Sequence, residues 1–173
     1  MITVAEVLCL SLFIATGADE SPRYYGDDNF ETCVQIANEA FAQGVDPEIA
    51  ISTGWVESRF NDGLISSTGC CHGPLQINPI YFCPNRSLNG CDLVKNGVGA
   101  LERYYHLYSE LPYCTELYDK DNYNEWLEPL CHYNSGNRCT EISRMYARTV
   151  VNIADNTDFV YDSIDDSLLQ VCD

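Results

Sequence analysis

The sequence predicts a mainly α-helical protein, and three observations support this prediction. Apolar residues recur at spacings of three and four along segments 92–110 and 140–153, the period of an amphipathic helix. An Asp-Pro pair at positions 46 and 47 has the order of a helix N-cap followed by proline. No segment alternates apolar and polar residues convincingly over the length of a strand. With 173 residues, the chain is long enough for one hydrophobic core, so we expect a single domain.

The N-terminal segment contains an apolar run, VLCLSLFIA at residues 7–15. This run has the length of a signal-peptide core and is too short to span a bilayer. Cleavage after Gly17 or Ala18 fits the small residues there, but Glu6 and the lack of Lys or Arg before the run are unusual for a leader. Residues 1–18 are therefore expected to be either a signal peptide or a buried N-terminal helix.

The next two helices have recognisable boundaries. Asp28, with Glu31 three residues later, forms a capping-box-like start for a helix that runs toward residue 44, a glycine. The second helix follows the Asp-Pro pair, and its core face carries Ile49, Val56 and Phe60.

Segment 61–91 is rich in Gly, Ser, Asn, Pro and Cys, and it predicts a long irregular loop pinned by disulfides. A third strong helix is expected from Asp92 to about Glu110, ended by Pro112. A shorter helical piece around residues 123–127 and another helix from about Thr140 to Ile153 complete the domain. The tail 156–173, with five Asp, is expected to be a loosely docked acidic appendage of the domain 27–155.

Charge and cysteine content exclude some classes of function. The chain has 26 Asp and Glu against 9 Lys and Arg, a net charge of −17, which argues against nucleic-acid binding and against electrostatic docking on anionic membranes. Ten cysteines indicate an oxidising, secreted or extracytoplasmic location. Cleavage of the leader would leave nine of them, so one would be free or paired with another chain. The chain has no C-x-x-C pair, so we expect no metal site.

Glu57, in the stretch GWVESRF at 54–60, is the candidate catalytic residue. It borders the apolar stripe of its helix, and the positions before it on the same face are the small residues Gly54, Thr53 and Ala50. Gly54 costs the helix about 1 kcal/mol relative to alanine, and a cleft passing over this small face is the expected compensation. A carboxyl group at the edge of an apolar floor has a raised pKa and can donate a proton near neutral pH. Glycosidic bonds need such an acid, although a surface ion pair with Arg59 or Arg103 is the simpler alternative for a helical Glu.

Several motifs in chain order resemble those of the soluble lytic transglycosylases, a lysozyme-like family that cleaves peptidoglycan. Glu57 and Ser58, within ESRFNDGLISSTGCCHGPLQINP, match the family's catalytic Glu-Ser pair. Downstream, HYNSG at 132–136 resembles Ala-Tyr-Asn-Ala-Gly, and ISRMYARTV at 142–150 resembles the segment that supplies a further tyrosine. GVGALERYY at 97–105 is loosely similar to a Gly-x-x-Tyr-Leu helix. Further matches in the loop and turn are Ser66, Gly69, Gly73, Leu75 and Gln76.

The resemblance implies a lysozyme-like fold and a role for each matched residue. Glu57 would act first as acid and then as base, and Tyr133 would orient its carboxyl group or the substrate's N-acetyl group. The implied substrate-binding residues are Ser66, Gln76, Asn134 and Tyr146. Their structural alternatives are a turn former for Ser66, a loop-carbonyl cap for Gln76 and core filler for Tyr133. No cofactor is expected for this chemistry.

Four features depart from the family pattern. His132 replaces the usual alanine and would narrow the cleft or add a titratable group near Glu57. Pro74 stands where a leucine is usual, and Cys70 with Cys71 adds a residue to the loop. Because adjacent cysteines rarely bridge each other, we expect each to pair with a distant partner such as Cys83, Cys91 or Cys131. The acidic surface also differs from the basic character common in wall-degrading enzymes.

The function expected from these residues is cleavage of the β-1,4 bond between N-acetylmuramic acid and N-acetylglucosamine, with 1,6-anhydro products. The partner would be the peptidoglycan strand, acted on by a phage, virion-associated or wall-remodelling enzyme. Two alternatives stay open: a hydrolytic muramidase like the goose-type lysozymes, and a disulfide-rich structural protein that has lost turnover. Asp62 is the nearest candidate for the second carboxylate that a lysozyme would use.

Overall fold

The computed structural model describes residues 2–20, 27–109 and 123–169, and this part of the chain is mainly helical, with no strand beyond two isolated bridges. The predicted fold class is thus confirmed at the level of mainly α with disulfide-linked cysteines. The helices are α1 (Val4–Thr16), α2 (Asp27–Gln43), α3 (Pro47–Ser58), α4 (Pro79–Phe82), α5 (Leu93–Tyr108), α6 (Leu127–Ser135) and α7 (Glu141–Leu169). Short 3₁₀ turns occupy Ala18–Glu20, Pro84–Arg86 and Asn124–Trp126.

The predicted starts of α2, α3, α5 and α7 agree with these bounds to within a few residues, but the piece predicted around 123–127 is a 3₁₀ turn followed by α6, α7 extends to Leu169, and two caps differ. Asp28 lies inside the first turn of α2, which begins one residue earlier. Asp46 is the N-cap of α3, yet its side chain makes no capping hydrogen bond and instead accepts one from Trp126 Nε1. Asp46 therefore connects α3 to the turn before α6. The predicted stop at Pro112 lies outside the described residues.

Helix α3 runs through the core, with α2 and α7 packed against it. Its residues from Ile49 to Trp55 are all buried, and Val56 is half-buried. The expected cleft over the small face is wrong, because a Cβ on Gly54 would lie 2.9 Å from Ile36 Cδ1 and 3.0 Å from the Phe60 ring. Close packing of α2 and Phe60 requires the glycine at this position.

Helix α1 is part of the same core. Leu8, Leu12 and Phe13 are almost fully buried, and the Phe13 ring contacts those of Trp55 and Phe60 at 6.1 and 5.8 Å between centroids. Cys9 of α1 is disulfide-bonded to Cys33 of α2. The apolar run thus forms a helix that packs into the core, and its removal would leave Cys33 without this partner.

The segment after Asn156 is not a separate appendage up to residue 169, because α7 continues through it. Thr157 is fully buried and donates its hydroxyl to the Ile153 carbonyl, and Tyr161 packs against the core. The predicted loose tail therefore extends a helix whose apolar face persists past residue 156.

The disulfide pairs differ from those expected. Cys70 and Cys71 are bonded to each other, Cys83 to Cys91, and Cys131 to Cys139. Each of these pairs joins residues at most eight apart in sequence, where little chain must be closed to bring the sulfurs together. The loop is consequently stapled internally and held to the helices by other contacts. Cys114 and Cys172 lie outside the described residues.

Across residues 2–20, 27–109 and 123–169, no helix combines the length and apolar character needed to cross a bilayer.

Candidate functional site

The site is built where the loop of residues 61–78 crosses the end of α3. Ser58 donates its hydroxyl to the Pro74 carbonyl at 2.8 Å, and Tyr133 of α6 donates its hydroxyl to the carbonyl of Leu75. The Leu75 side chain is fully buried against α5, where a Cβ on Gly97 would lie only 2.6 Å from Leu75 Cδ1. Three helices therefore hold one turn of the loop in place.

The same turn is stabilised internally by Gln76 and His72. Gln76 has a positive φ of 47°, and its amide nitrogen donates to the carbonyls of Leu64 and Gly73 at 3.0 and 2.8 Å. His72 and Ile77 exchange two backbone hydrogen bonds. Gln76 also borders the cavity beside Glu57. Its side-chain N–H groups are nevertheless used to cap loop carbonyls, which was the structural alternative to sugar binding.

A cavity of about 390 Å³ lies between this loop, α4, α5 and α6, and Glu57 opens into it. This volume falls within the range of small-molecule sites. Glu57 is the only carboxylic acid among the described residues that line it. The remaining lining is uncharged and mostly polar or aromatic: Ser66, Cys71, Gln76, Ile77, Asn78, Tyr81, Phe82, Tyr104, Tyr133, Asn134 and Gly136.

Burial raises the pKa of Glu57 to about 7, while a hydrogen bond from Tyr146 opposes the shift. The Tyr146 hydroxyl donates to Glu57 Oε1 at 2.6 Å. Glu57 also stands in the last turn of α3, where the helix dipole disfavours a negative charge. The carboxyl group is therefore half protonated near neutral pH, as a general acid requires.

Two tyrosines exchange the positions expected for them. Tyr146 makes the hydrogen bond to the carboxyl group that was expected from Tyr133, and it is not among the residues lining the cavity. Tyr133 lines the cavity, and its hydroxyl is directed to the Leu75 carbonyl. Burial, and then the charge of Glu57, raises the pKa of both phenols well above the usual value, so both remain neutral donors.

Ser66 and Asn134 lie on the cavity wall as expected for residues that contact a ligand. Ser66 Oγ accepts a hydrogen bond from the Cys71 amide at 3.1 Å, so it also shapes the turn that carries the Cys70–Cys71 disulfide. Asn134 is exposed at the end of α6. Its position leaves the side chain accessible to a ligand in the cavity.

His132 does not line the Glu57 cavity, contrary to expectation. Its ring is buried and stacks on Tyr108 with 3.7 Å between centroids, and its Nδ1–H donates to the Gly136 carbonyl at 2.6 Å. Its Nε2 lies 3.4 Å from Glu128. Glu128, His132 and Cys139 lie close enough to share a cation, but Cys139 is bonded to Cys131 and cannot act as a thiolate ligand in that state.

Asp62 belongs to a different part of the surface. It lines a separate cavity of about 480 Å³ together with Asp28 and Arg59, and this cavity shares no lining residue with that of Glu57. Arg59 lies over the Trp55 ring at 4.5 Å and is not paired with Glu57 in the described ion pairs. Glu57 therefore has no second carboxylate among the described residues around its cavity.

Sequence reasoning missed the aromatic wall formed by Tyr81, Phe82 and Tyr104. The Phe82 and Tyr104 rings are 6.0 Å apart, and Tyr104 meets Tyr133 edge-on at 5.8 Å. Tyr104 and Tyr108 are spaced i, i+4 on α5 and follow the buried Leu101 by three and seven residues, so they continue its face toward the end of the helix, where both are half-buried. Such an aromatic pair, continuing a core stripe into the last turns of a helix, was the available signal.

Comparison of the chain with protein-family models, with curated proteins and with solved structures gives no match.

Proposed function

We propose that this protein cleaves the β-1,4 glycosidic bond of peptidoglycan with Glu57 as its general acid and base, as a lytic transglycosylase of lysozyme-like fold. The observation that carries the proposal is a half-buried carboxyl group with a pKa of about 7, held by Tyr146 and facing a cavity of about 390 Å³. Neutral polar groups and aromatic rings around it suit an uncharged sugar.

The proton of Glu57 goes to the glycosidic oxygen as the bond from that oxygen to the anomeric carbon breaks. The N-acetyl group of the muramic acid ring stabilises the positive charge that develops at this carbon. The Glu57 carboxylate then takes the proton of the sugar's 6-hydroxyl, whose oxygen bonds to the anomeric carbon and closes the 1,6-anhydro ring. Glu57 ends the cycle protonated, so no other acid or base is consumed.

The lining of the cavity favours this route over hydrolysis with a carboxylate nucleophile. A retaining lysozyme mechanism needs a second carboxyl group about 5 Å from the first. Asp62, the sequence candidate, lines a different cavity. With a single glutamic acid, the substrate's own N-acetyl group takes the place of the carboxylate nucleophile in stabilising the anomeric carbon.

The disulfides support an oxidising compartment for this activity. We propose a secreted or extracytoplasmic enzyme, acting on the cell wall as part of a phage or wall-remodelling system. At a net charge of −17, the protein would approach an anionic wall better when salt screens the repulsion.

The test is to digest purified peptidoglycan with the full chain and to determine the products by mass. The expected products carry 1,6-anhydro ends, which are one water lighter than reducing ends. Glu57→Gln is the negative control, because its amide oxygen can still accept the hydrogen bond from Tyr146 but the side chain has no acidic proton to donate. Reducing ends would replace the proposal by a muramidase, and no release by the folded wild-type protein would support the structural alternative.

A further inference from the structure

A second groove continues from the Glu57 cavity along α5. Its volume is about 330 Å³, and it shares Tyr81, Phe82, Tyr104 and Gly136 with that cavity. Beyond these shared residues it is lined by Arg103, Leu107, Tyr108 and Asn137. The two spaces therefore form one continuous surface that passes the carboxyl group of Glu57 and ends on the last two turns of α5.

The aromatic residues of this groove are arranged as a row. Successive ring centroids are separated by 6.5 Å from Tyr81 to Phe82, 6.0 Å from Phe82 to Tyr104 and 6.0 Å from Tyr104 to Tyr108. The Tyr81 side chain is 70% exposed and Leu107 57% exposed, so the row offers apolar surface to a ligand. Rings with a polar edge suit sugars, which have apolar faces and hydroxyl rims.

The charge of the groove is opposite to that of the protein. Arg103 is exposed and is the only charged side chain among the described residues that line the groove. None of the ion pairs found within the described part of the chain uses Arg103. In a chain with 26 acidic and 9 basic residues, a groove with one cation and no acid selects for a ligand that carries a negative charge.

We propose that this groove binds the continuation of the glycan strand and that Arg103 pairs with a carboxylate carried by that strand. The inference rests on the proposed function. It adds that the groove discriminates carboxylate-bearing strands from neutral glycans. The carboxylate has two possible sources in peptidoglycan: the lactyl group of a muramic acid that carries no stem peptide, and the free carboxyl groups of a stem peptide where one is attached. A guanidinium binds either through two N–H donors.

The test measures binding by calorimetry in the Glu57→Gln background, where no ligand is consumed. Three ligands separate the contributions: a neutral hexamer of N-acetylglucosamine, glycan strands with stem peptides, and strands whose peptides an amidase has removed to expose the lactyl carboxylates. Arg103→Gln should weaken binding of carboxylate-bearing strands about five- to tenfold and leave the hexamer within about twofold. The difference should shrink at about 0.5 M salt.

The matched control is Lys95→Gln, which removes the same charge from the same helix about 12 Å away, outside both cavities. It should change no affinity by more than about twofold. Leu107→Glu and Leu107→Gln form a second pair of equal size on the groove wall. Only the glutamate should weaken the anionic strands, because it places a like charge beside them.

Equal weakening of all three ligands by Arg103→Gln, or the same loss with Lys95→Gln, would overturn the role of Arg103. Unchanged binding of the anionic strands by Leu107→Glu would mean that the strand does not occupy the groove. If the wild-type protein binds the strands and does not cleave them, the proposed catalysis is contradicted, while the proposed binding in the groove is not. Failure of the Glu57→Gln protein to bind all three ligands would overturn both proposals.

Discussion

The two ends of helix α3 each carry a partly buried glutamic acid, Glu48 in the first turn and Glu57 in the last. Burial raises the pKa of both carboxyl groups. Glu48 accepts a hydrogen bond from Tyr123 and lies near Asp46 and Asp158, whose charges raise its pKa further. Glu57 has a single tyrosine partner and opens into a cavity walled by neutral polar and aromatic groups.

The two carboxyl groups share a raised pKa, so this property alone does not single out Glu57 for the proposed role of general acid. The helix dipole stabilises a charge on Glu48 at the N-terminus and destabilises one on Glu57 at the C-terminus. Only Glu57 combines an available proton near neutral pH with space for a ligand beside it. Glu48 instead lies at a junction, with Asp158 of α7 and Tyr123, just before the 3₁₀ turn that leads into α6, as its neighbours.

The largest expected difference between the two ends is in catalysis. Glu57→Gln should lower the rate of glycan release at least about 1,000-fold, because the proton donor is lost. Glu48→Gln should stay within about twofold of the wild-type rate. The measurement is release of soluble muropeptides at pH 6 with circular dichroism as the folding control. Equal losses of rate in the two variants would mean that activity is sensitive to any change in α3, and Glu57 would not be distinguished from Glu48.

The next effect is on stability as a function of pH. The folded-state pKa of Glu57, about 7, is above its unfolded value near 4.5, so the native state binds a proton more tightly. The stabilisation from this proton is complete below pH 4.5 and is lost as the pH rises to 7, a change of about 3 kcal/mol.

Urea unfolding between pH 4 and 8.5 measures this change. Glu57→Gln should flatten the profile and unfold at higher urea than the wild type at pH 8. Glu48→Gln should act in the same direction with a smaller effect. A wild-type profile that falls no more steeply through this window than that of Glu57→Gln would contradict the raised pKa of Glu57.

The smallest expected effect concerns the tyrosine partner at each end. Tyr146→Phe removes the hydrogen bond that lowers the pKa of Glu57, so the alkaline limb of the pH–rate profile should move to higher pH. The loss of orientation should reduce the maximal rate about tenfold. Tyr123→Phe, the matched change beside Glu48, should leave the position of that limb unaltered. A rate loss in Tyr146→Phe without a shift of the limb would assign Tyr146 a purely structural role.

Much of the helical framework could be predicted because its signals are local. The three- and four-residue spacing of Val94, Val98 and Leu101 lies within α5, and Pro47 marks the start of α3. Glu57 was also recognisable, as a carboxyl group at the border of an apolar stripe. The continuation of α7 past residue 156 was missed because its Asp-rich composition outweighed the buried Thr157 and the partly buried Tyr161.

The contacts around the site could not be predicted because they join distant parts of the chain. Tyr146 is 89 residues from Glu57, and no local pattern distinguishes it from Tyr133 as the donor. The role of Gly54 depends on the approach of Ile36 from another helix. The disulfide partners also depended on which cysteines the loop turns bring together, and a general preference against adjacent pairs was misleading for Cys70 and Cys71.

The sequence alone determined that the chain forms amphipathic helices and that one glutamic acid lies at the edge of an apolar face, since both follow from periodicity within a few turns. Only the tertiary structure decided that this acid is buried enough to retain a proton near pH 7, that Tyr146 holds it and that the cavity beside it continues along α5 to Arg103. The physical reason is that desolvation and long-range hydrogen bonds depend on neighbours that packing, and not chain order, places beside a residue.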